Sequence, residues 1–181
     1  MTGDSAPIVV IGVGNALLRD DGVGVRIAEA IERLGGHDPS VVPAAMHVVD
    51  GGTLDIGVMR TLEGARAVLI VDGLDLGEPP GTIRVLRGDE ITVAGGRGPG
   101  GRTGGIGELL ALARMMGWLH GPVALVGVQV ADITFNLGLS PRVDAAVPAA
   151  VETARRTLWE LDADAATGAG GSRRPRTGAG A

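Results

Sequence analysis

One stretch, residues 8–34, constrains the fold more than any other: IVVIGVGNALLRDDGVGVRIAEAIERL. It begins with a β-branched run, Ile8–Ile11, which predicts a buried parallel strand. A glycine-rich turn and an acidic pair, Asp20 and Asp21, follow. From Val25 onward apolar residues recur at helical spacing, which predicts an amphipathic helix. Strand, glycine turn, acids and helix in this order are typical of an α/β protein with a site at the carboxyl end of its first strand.

The rest of the chain alternates between strand and helix patterns. Apolar runs predict further strands at 46–49, 67–71, 82–86 and 123–130. Helical spacing predicts helices at 54–62 and 108–116, and a last helix from Pro141 to about Leu161 with Ser140 as its N-cap. We therefore predict an α/β fold, a three-layer α/β/α sandwich around a mostly parallel, mixed central sheet of about five strands. The alternation in 82–86 predicts an edge strand, and Gly35-Gly36 predicts the end of the first helix.

The length of 181 residues suits one domain with a sizeable core, which we assign to residues 1–165. Residues 166–181 consist of Gly, Ala, Arg, Thr, Ser and Pro. A segment without bulky apolar side chains buries too little surface to offset the entropy cost of ordering it. We therefore predict that residues 166–181 form a disordered C-terminal tail.

Composition excludes several classes of function. The net charge is −5, the chain has one Phe and no Tyr, and every basic residue is Arg. These features argue against a nucleic-acid partner and against lysine-based chemistry. The longest apolar runs have only strand length, and the N-terminus does not have the pattern of a signal peptide. We expect a cytoplasmic monomer with no membrane segment.

The available side chains restrict the chemistry further. Cysteine is absent, which excludes a thiol protease. No serine lies in a G-x-S-x-G motif, and the three histidines form no HExxH motif. Carboxylates remain. Asp21, Asp50 and Asp72 each follow a predicted strand, so we expect them to converge on one cleft at the carboxyl edge of the sheet.

The opening stretch by itself allows other interpretations. It is compatible with an ordinary loop between a strand and a helix. In such a loop the only role of Asp20 and Asp21 is a favourable interaction of their negative charge with the helix dipole. It also partly matches the dinucleotide fingerprint G-x-G-x-x-G, but Leu17 stands at the third glycine position. The nearest strand-end acid, Asp50, comes later than the usual spacing of about 20 residues. A nucleotide-binding Rossmann-type domain therefore remains an alternative.

The pattern GxGNxLxxDDGxGxR in residues 12–26 resembles the N-terminal signature of the hydrogenase maturation proteases. These endopeptidases trim the C-terminal extension from the large subunit of nickel–iron hydrogenases. Four later motifs resemble the same family in order. They are Val49–Thr53 (the DGGT turn), Val71-Asp72, Val126–Val128 and Gly138–Pro141 (the GL[ST]P entry to the last helix). The resemblance covers about residues 8–160.

The resemblance implies an aspartic-type endopeptidase that recognises nickel and whose partner is the hydrogenase large-subunit precursor. The nickel would be supplied by that precursor, and no nucleotide is expected. Asp21 and Asp72 match the family's carboxylate metal ligands, so the resemblance makes them the metal-binding and catalytic residues. Water could be activated in either of two ways: by a carboxylate acting as general base, or by nickel acting as a Lewis acid.

The third ligand of the family is a histidine before the fourth helix. Arg102, or Thr103 with a one-residue slip, stands at that position here. An arginine has no lone pair to offer a metal, so a catalytically impaired assembly or binding protein is the main alternative within the family. Asn15, Asp50, Arg102 and Thr103 are expected to form the loops that meet the substrate.

Overall fold

A computed structural model describes residues 6–52, 54, 56–95 and 105–168. Within these residues five strands form one sheet: β1 (Ile8–Val13), β2 (Met46–Gly52), β3 (Ala67–Leu74), β4 (Ile83–Arg87) and β5 (Val123–Gln129). The strand order is β2-β1-β3-β5-β4, and only the pairing of β4 with β5 is antiparallel among the described strands. The predicted mixed sheet and the edge position of residues 82–86 are confirmed.

Helices cover both faces of the sheet. In the described part of the chain they are α1 (Val23–His37), α2 (Ile56–Arg60), α3 (Asp89–Gly95), α4 (Ile106–Met115) and α5 (Pro141–Thr167). The buried side chains of α1 and α5 pack on one face, and those of α2, α3 and α4 pack on the other. The predicted three-layer sandwich is confirmed. None of the described helices has the length and apolarity that crossing a membrane requires.

The strand order places a natural site between β1 and β3. The chain leaves β1 through α1 on one face to reach β2, and it returns through α2 on the other face to reach β3. The connections therefore diverge at the carboxyl ends of β1 and β3, which opens a crevice there. Asp21 follows β1 after the loop 14–18, and Asp72 lies near the end of β3.

Three predicted strand and helix ends were wrong, one of them the end of β2, which continues past Val49 to Gly52. Helix α1 does not stop at Gly35-Gly36 but continues to His37. A Cβ at Gly35 would lie 2.8 Å from Cγ2 of Val42, so this glycine permits close packing instead of ending the helix. Strand β3 does not stop at Val71, because Asp72 pairs with Gly127 and the ladder continues to Leu74. Asp72 is therefore held by the sheet.

The last helix is also longer than predicted. It continues past Leu161 to Thr167, so Ala166 and Thr167, the first residues of the predicted tail, are helical. Ion pairs across the fold favour this extension: Arg66 pairs with Asp162, and Arg87 pairs with Asp164. Sequence periodicity does not reveal such pairs. Residues 169–181 lie outside the described residues, and their predicted disorder remains a prediction.

Two short elements also differ from the sequence prediction. Helix α3 was not predicted. The predicted helix 54–62 is shorter, Ile56–Arg60, and its predicted N-cap Thr53 lies outside the described residues. Short helices of this kind depend on packing more than on intrinsic propensity.

The N-terminal turn of α1 fits into the sheet because it contains Gly24. A Cβ at Gly24 would lie 2.3 Å from the carbonyl oxygens of both Val13 and Val71, and 2.9 Å from Cα of Asp72. These neighbours are backbone atoms of β1 and β3, which cannot move aside as a side chain can. The absence of a side chain at Gly24 therefore sets how closely α1, and the acids before it, approach β3.

We expect Gly24→Ala to destabilise the protein by about 2 kcal/mol or more, because the new methyl group overpacks against fixed backbone. The matched control is Gly36→Ala in the same helix, where no atom lies within 4 Å of the added Cβ. That change should stabilise the protein by about 0.5 to 1 kcal/mol through helix propensity. Urea unfolding of the three proteins measures both effects. Equal stabilities of the two variants would contradict this account of Gly24.

Candidate active site at the carboxyl edge of the sheet

The two carboxylates predicted to do the chemistry lie at the same edge of the sheet. Asp21 belongs to a 3-10 turn (Arg19–Gly22) that leads from β1 into α1, and Asp72 lies in β3, the strand beside β1. Both are nearly fully buried, with exposed fractions of 2% and 3%. The segments that carry them pack closely: a Cβ at Gly24 would lie 2.9 Å from Cα of Asp72, and a Cβ at Gly73 would lie 3.1 Å from the carbonyl oxygen of Asp20.

Asp21 is held by the glycine turn that precedes it. The backbone N–H of Asn15 donates to Oδ2 of Asp21 at 2.8 Å. The Asn15 side chain accepts from the N–H of Leu17 at 2.9 Å and so shapes the same turn. Gly14 has a φ of +135°, and a Cβ there would lie 1.7 Å from the carbonyl oxygen of Asp21. Gly14 must therefore be glycine for the turn to close around Asp21.

Asp20, the other member of the acidic pair, has a structural role. It is fully buried and accepts four hydrogen bonds. Its Oδ1 accepts from the N–H of Ser140 at 2.6 Å. Its Oδ2 accepts from the N–H groups of Ala131 and Asp132, each at 2.9 Å, and from the Ser140 hydroxyl at 2.8 Å. Both carboxylate oxygens thus join the loop after β1 to the loop between β5 and α5.

Ser140 is at the N-cap position of α5, as predicted, but it has no side-chain cap bond within the helix. Its hydroxyl donates to Asp20 instead. The local pattern G-L-S-P predicts the start of a helix. It does not show that the Ser140 hydroxyl binds a buried carboxylate that lies far away in the sequence. Sequence reasoning therefore missed the link between Asp20 and Ser140.

The loop between β5 and α5 has its own fixed turn. The backbone N–H of Thr134 donates to Oδ1 of Asp132 at 2.9 Å, and Arg19 pairs with Oδ2 of Asp132 at 3.0 Å. The hydrogen bonds from Thr134 lower the pKa of Asp132, and the positive charge of Arg19 lowers it further. The Asp132 carboxylate therefore stays ionised, and able to pair with Arg19, to a lower pH than an ordinary aspartate. Arg19 itself has an unusual φ of +49°.

Asp50 lies at the same edge but in a different setting. It is exposed on β2, opposite Gly12 of β1, and its Oδ1 accepts from the N–H of Gly52 at 2.9 Å. It lines an open cavity of about 500 Å³ between the end of β2 and α2. Asp50 and Asp72 thus lie within β2 and β3, Asp21 follows β1 between them, and of these three acids only Asp21 and Asp72 are buried.

The position expected for the third ligand is not among the described residues. Arg102 and Thr103 are outside the described residues, so their place relative to Asp21 and Asp72 stays a prediction. Among the residues that the structure describes, no group of three or more His, Cys, Asp or Glu side chains is arranged to hold a metal ion. The described residues therefore contribute two candidate carboxylates and not a complete metal site.

Comparison with known proteins decides the family. The sequence model of the family described as "HycI: Hydrogenase maturation protease" matches residues 25–157 of the chain. The chain belongs to the hydrogenase maturation protease family. The match begins within α1, ends within α5 and includes Asp72, whereas Asp21 lies four residues before its start.

Individual members of the family are similar over most of their length. The hydrogenase 2 maturation protease of Escherichia coli K12 is 30% identical over 159 residues, which cover 87% of this chain and 94% of that protein. The hydrogenase expression/formation protein HupD of Thiocapsa roseopersicina is 33% identical over 156 residues, covering 85% of this chain and 68% of that protein. The solved structure of the E. coli hydrogenase maturating endopeptidase HybD has a TM-score of 0.74 and 29% identity, covering 85% of this chain and 93% of that one.

In this hydrogenase maturation protease, the glycines of the turn after β1 are explained by packing within the protein and not by a bound nucleotide. In the dinucleotide fingerprint a glycine allows the backbone to approach a pyrophosphate. Here Gly14 allows the backbone to approach the carbonyl of Asp21, and a Cβ at Gly12 would meet Ala28 of α1 at 2.7 Å. Internal packing thus accounts for the two glycines on which the nucleotide-binding alternative was based.

The four bonds to Asp20 predict a large effect of a small change. In Asp20→Asn, one carboxylate oxygen becomes an NH2 group that faces N–H or O–H donors, so buried donors lose their acceptor. We expect a loss of about 2 to 4 kcal/mol in the free energy of unfolding. The control is Asp144→Asn, an exposed acid whose contact with Arg26 is 3.9 Å long and which should change stability by less than about 0.5 kcal/mol. Chemical unfolding measures both, and a similar small loss in each would refute the structural role of Asp20.

Proposed function

We propose that this protease is the endopeptidase that removes the C-terminal extension of a nickel–iron hydrogenase large subunit after nickel insertion. Family membership carries the proposal, supported by the near-complete coverage of the E. coli hydrogenase 2 maturation protease. The proposed catalytic residues are Asp21 and Asp72, two buried carboxylates at the ends of neighbouring strands.

The nickel in this proposal belongs to the substrate. Two carboxylates alone hold a divalent ion weakly, and nickel prefers imidazole ligands to oxygen. Weak affinity suits a protease that tests for nickel already bound in its partner, because a protease with strong affinity would remove the ion. The remaining ligands of the nickel would then come from the large subunit. Metal dependence of the cleavage itself is part of this proposal.

The residues around the carboxylates have distinct proposed tasks. The Asn15 N–H fixes the orientation of Asp21, and the β3–β5 ladder fixes the backbone of Asp72. Burial lowers the effective dielectric constant around both carboxylates, which strengthens their electrostatic interaction with a cation. Either carboxylate is chemically able to take a proton from the attacking water as a general base. Asn15 and the exposed Asp50 are proposed to meet the substrate peptide.

Asp21→Asn and Asp72→Asn should each abolish processing of the nickel-loaded large-subunit precursor and leave the fold intact, because each change removes a charge but keeps the shape. Mass spectrometry of the precursor measures the cleavage, and circular dichroism measures the fold. The control is Asp38→Asn, the same change at the opposite edge of the sheet, where Asp38 follows the end of α1. That variant should process the precursor at the wild-type rate.

The same experiment separates the protease from an assembly protein that has lost its activity. If the wild-type protein binds the nickel-loaded precursor tightly but leaves its length unchanged, the assembly protein becomes the better description. If wild type cleaves and both Asp→Asn variants cleave equally well, the assignment of Asp21 and Asp72 is wrong.

Arg102→His should tighten the binding of Ni²⁺ to the protein alone, because it replaces a fixed positive charge with a neutral nitrogen ligand. Isothermal titration with Ni²⁺ measures the change, and we expect at least a tenfold lower Kd. Arg97→His, in the same glycine-rich segment, is the matched control. An equal gain from both substitutions would show that position 102 has no special relation to the carboxylates.

A further inference from the structure

Three large apolar side chains are exposed beside the candidate active site. Leu17 is 50% exposed, Phe135 is 80% exposed and Leu137 is 76% exposed. Phe135 is also the only phenylalanine in the sequence. We name these three residues the apolar rim. Apolar side chains grouped on a surface mark interaction sites more often than single exposed ones do.

Backbone pairing brings the members of the apolar rim together from two distant parts of the sequence. Leu18 and Asn136 form a parallel bridge. The N–H of Asn136 donates to the carbonyl of Leu17, and the N–H of Arg19 donates to the carbonyl of Asn136, both at 3.1 Å. Leu17 therefore lies beside the segment that carries Phe135 and Leu137.

The loop that carries Phe135 and Leu137 is fixed at both ends. Ala131, Asp132 and Ser140 all donate backbone N–H groups to the buried carboxylate of Asp20. The pair between Arg19 and Asp132 adds a further link. These bonds hold the segment between them at the surface, so its apolar side chains are presented in a fixed place. A preformed surface of this kind loses little conformational entropy on binding.

The apolar rim is continuous with the candidate active site. Leu17 lies in the turn shaped by Asn15, whose N–H binds Asp21. The loop of Phe135 and Leu137 is bound by Asp20, the neighbour of Asp21 in the sequence. A polypeptide that reaches Asp21 and Asp72 at this edge of the sheet therefore has the apolar rim next to its path.

The chain's own C-terminal segment is poorly placed to cover the apolar rim. Helix α5 starts beside the rim at Pro141, and its last turns pair with Arg66 before β3 and with Arg87 at the end of β4, at the opposite edge. Its 27 residues span about 40 Å.

We propose that the apolar rim is the docking surface for an apolar stretch of the hydrogenase large-subunit precursor, close to the bond that is cut. This proposal rests on the proposed function, because it takes the precursor as the partner. It assigns Leu17, Phe135 and Leu137 to substrate binding and not to the chemical step.

The test compares the wild-type protein with the double variant Phe135→Ser/Leu137→Ser on the nickel-loaded precursor. We expect KM to rise at least tenfold while kcat at saturating precursor stays within about twofold, because the rim binds the substrate without touching the reacting atoms. The control is Met115→Ser, an equally exposed apolar residue (80%) at the end of α4, at the opposite edge of the sheet. It should leave both constants unchanged.

Binding of the precursor, measured by titration calorimetry, keeps the two proposals distinguishable. If the wild-type protein does not cleave but binds the precursor, and the double variant loses that binding, the docking surface stands and the proposed function fails. If the double variant binds and cleaves like wild type, the docking proposal is wrong. The melting temperature of the double variant should match wild type, because the replaced side chains are exposed.

The proposal would be overturned if the apolar rim had one of two other occupants, and each of them predicts a different experimental result. If the wild-type protein sediments as a dimer and the double variant as a monomer, with unchanged precursor binding, the occupant is a second copy of this chain. If deleting residues 169–181 lowers the Kd for the precursor at least tenfold, the C-terminal segment covers the rim. We expect neither change.

Discussion

The buried carboxylate of Asp20 is the interaction on which the carboxyl edge of this protein depends. Its two oxygens accept four hydrogen bonds, and all four donors lie more than 100 residues away in the sequence. Such a charge is costly to bury unless its oxygens are satisfied. Here they are satisfied by the N–H groups of the loop after β5 and by the hydroxyl at the start of α5. One side chain thereby fixes the two loops that carry Asp21 and the apolar rim.

Glycines determine how closely the parts of this edge approach one another. Gly14 allows the first turn to close on the carbonyl of Asp21, and Gly24 allows α1 to contact the backbone of β1 and β3. Both contacts are too short for any side chain. The buried acids at the ends of neighbouring strands are therefore a consequence of backbone packing, and the chemistry proposed for Asp21 and Asp72 depends on residues that have no functional groups themselves.

The order of strands and helices could be predicted from periodicity, because the alternation of buried and exposed residues is a local property. The ends of the helices could not be predicted in the same way where contacts outside the helix decide them. Helix α1 passes through Gly35 because Val42 packs against it, and α5 reaches Thr167 with its last turns paired to Arg66 and Arg87. Helix α3 was missed, and its buried Ile91 and Ala94 pack into the cluster that also contains residues of α4.

The sequence alone determined the fold class, the family resemblance and the two carboxylates to consider, because motifs such as GxGNxLxxDDGxGxR record residue types at fixed spacing. The resemblance singled out Asp21, but the sequence assigned no task to Asp20 beyond a favourable interaction with the helix dipole. Tertiary structure decided that Asp20 is the structural acid, because its partners Ala131, Asp132 and Ser140 come from the other end of the chain. It also decided that Leu17, Phe135 and Leu137 share one surface, since only folding brings the loops after β1 and β5 together.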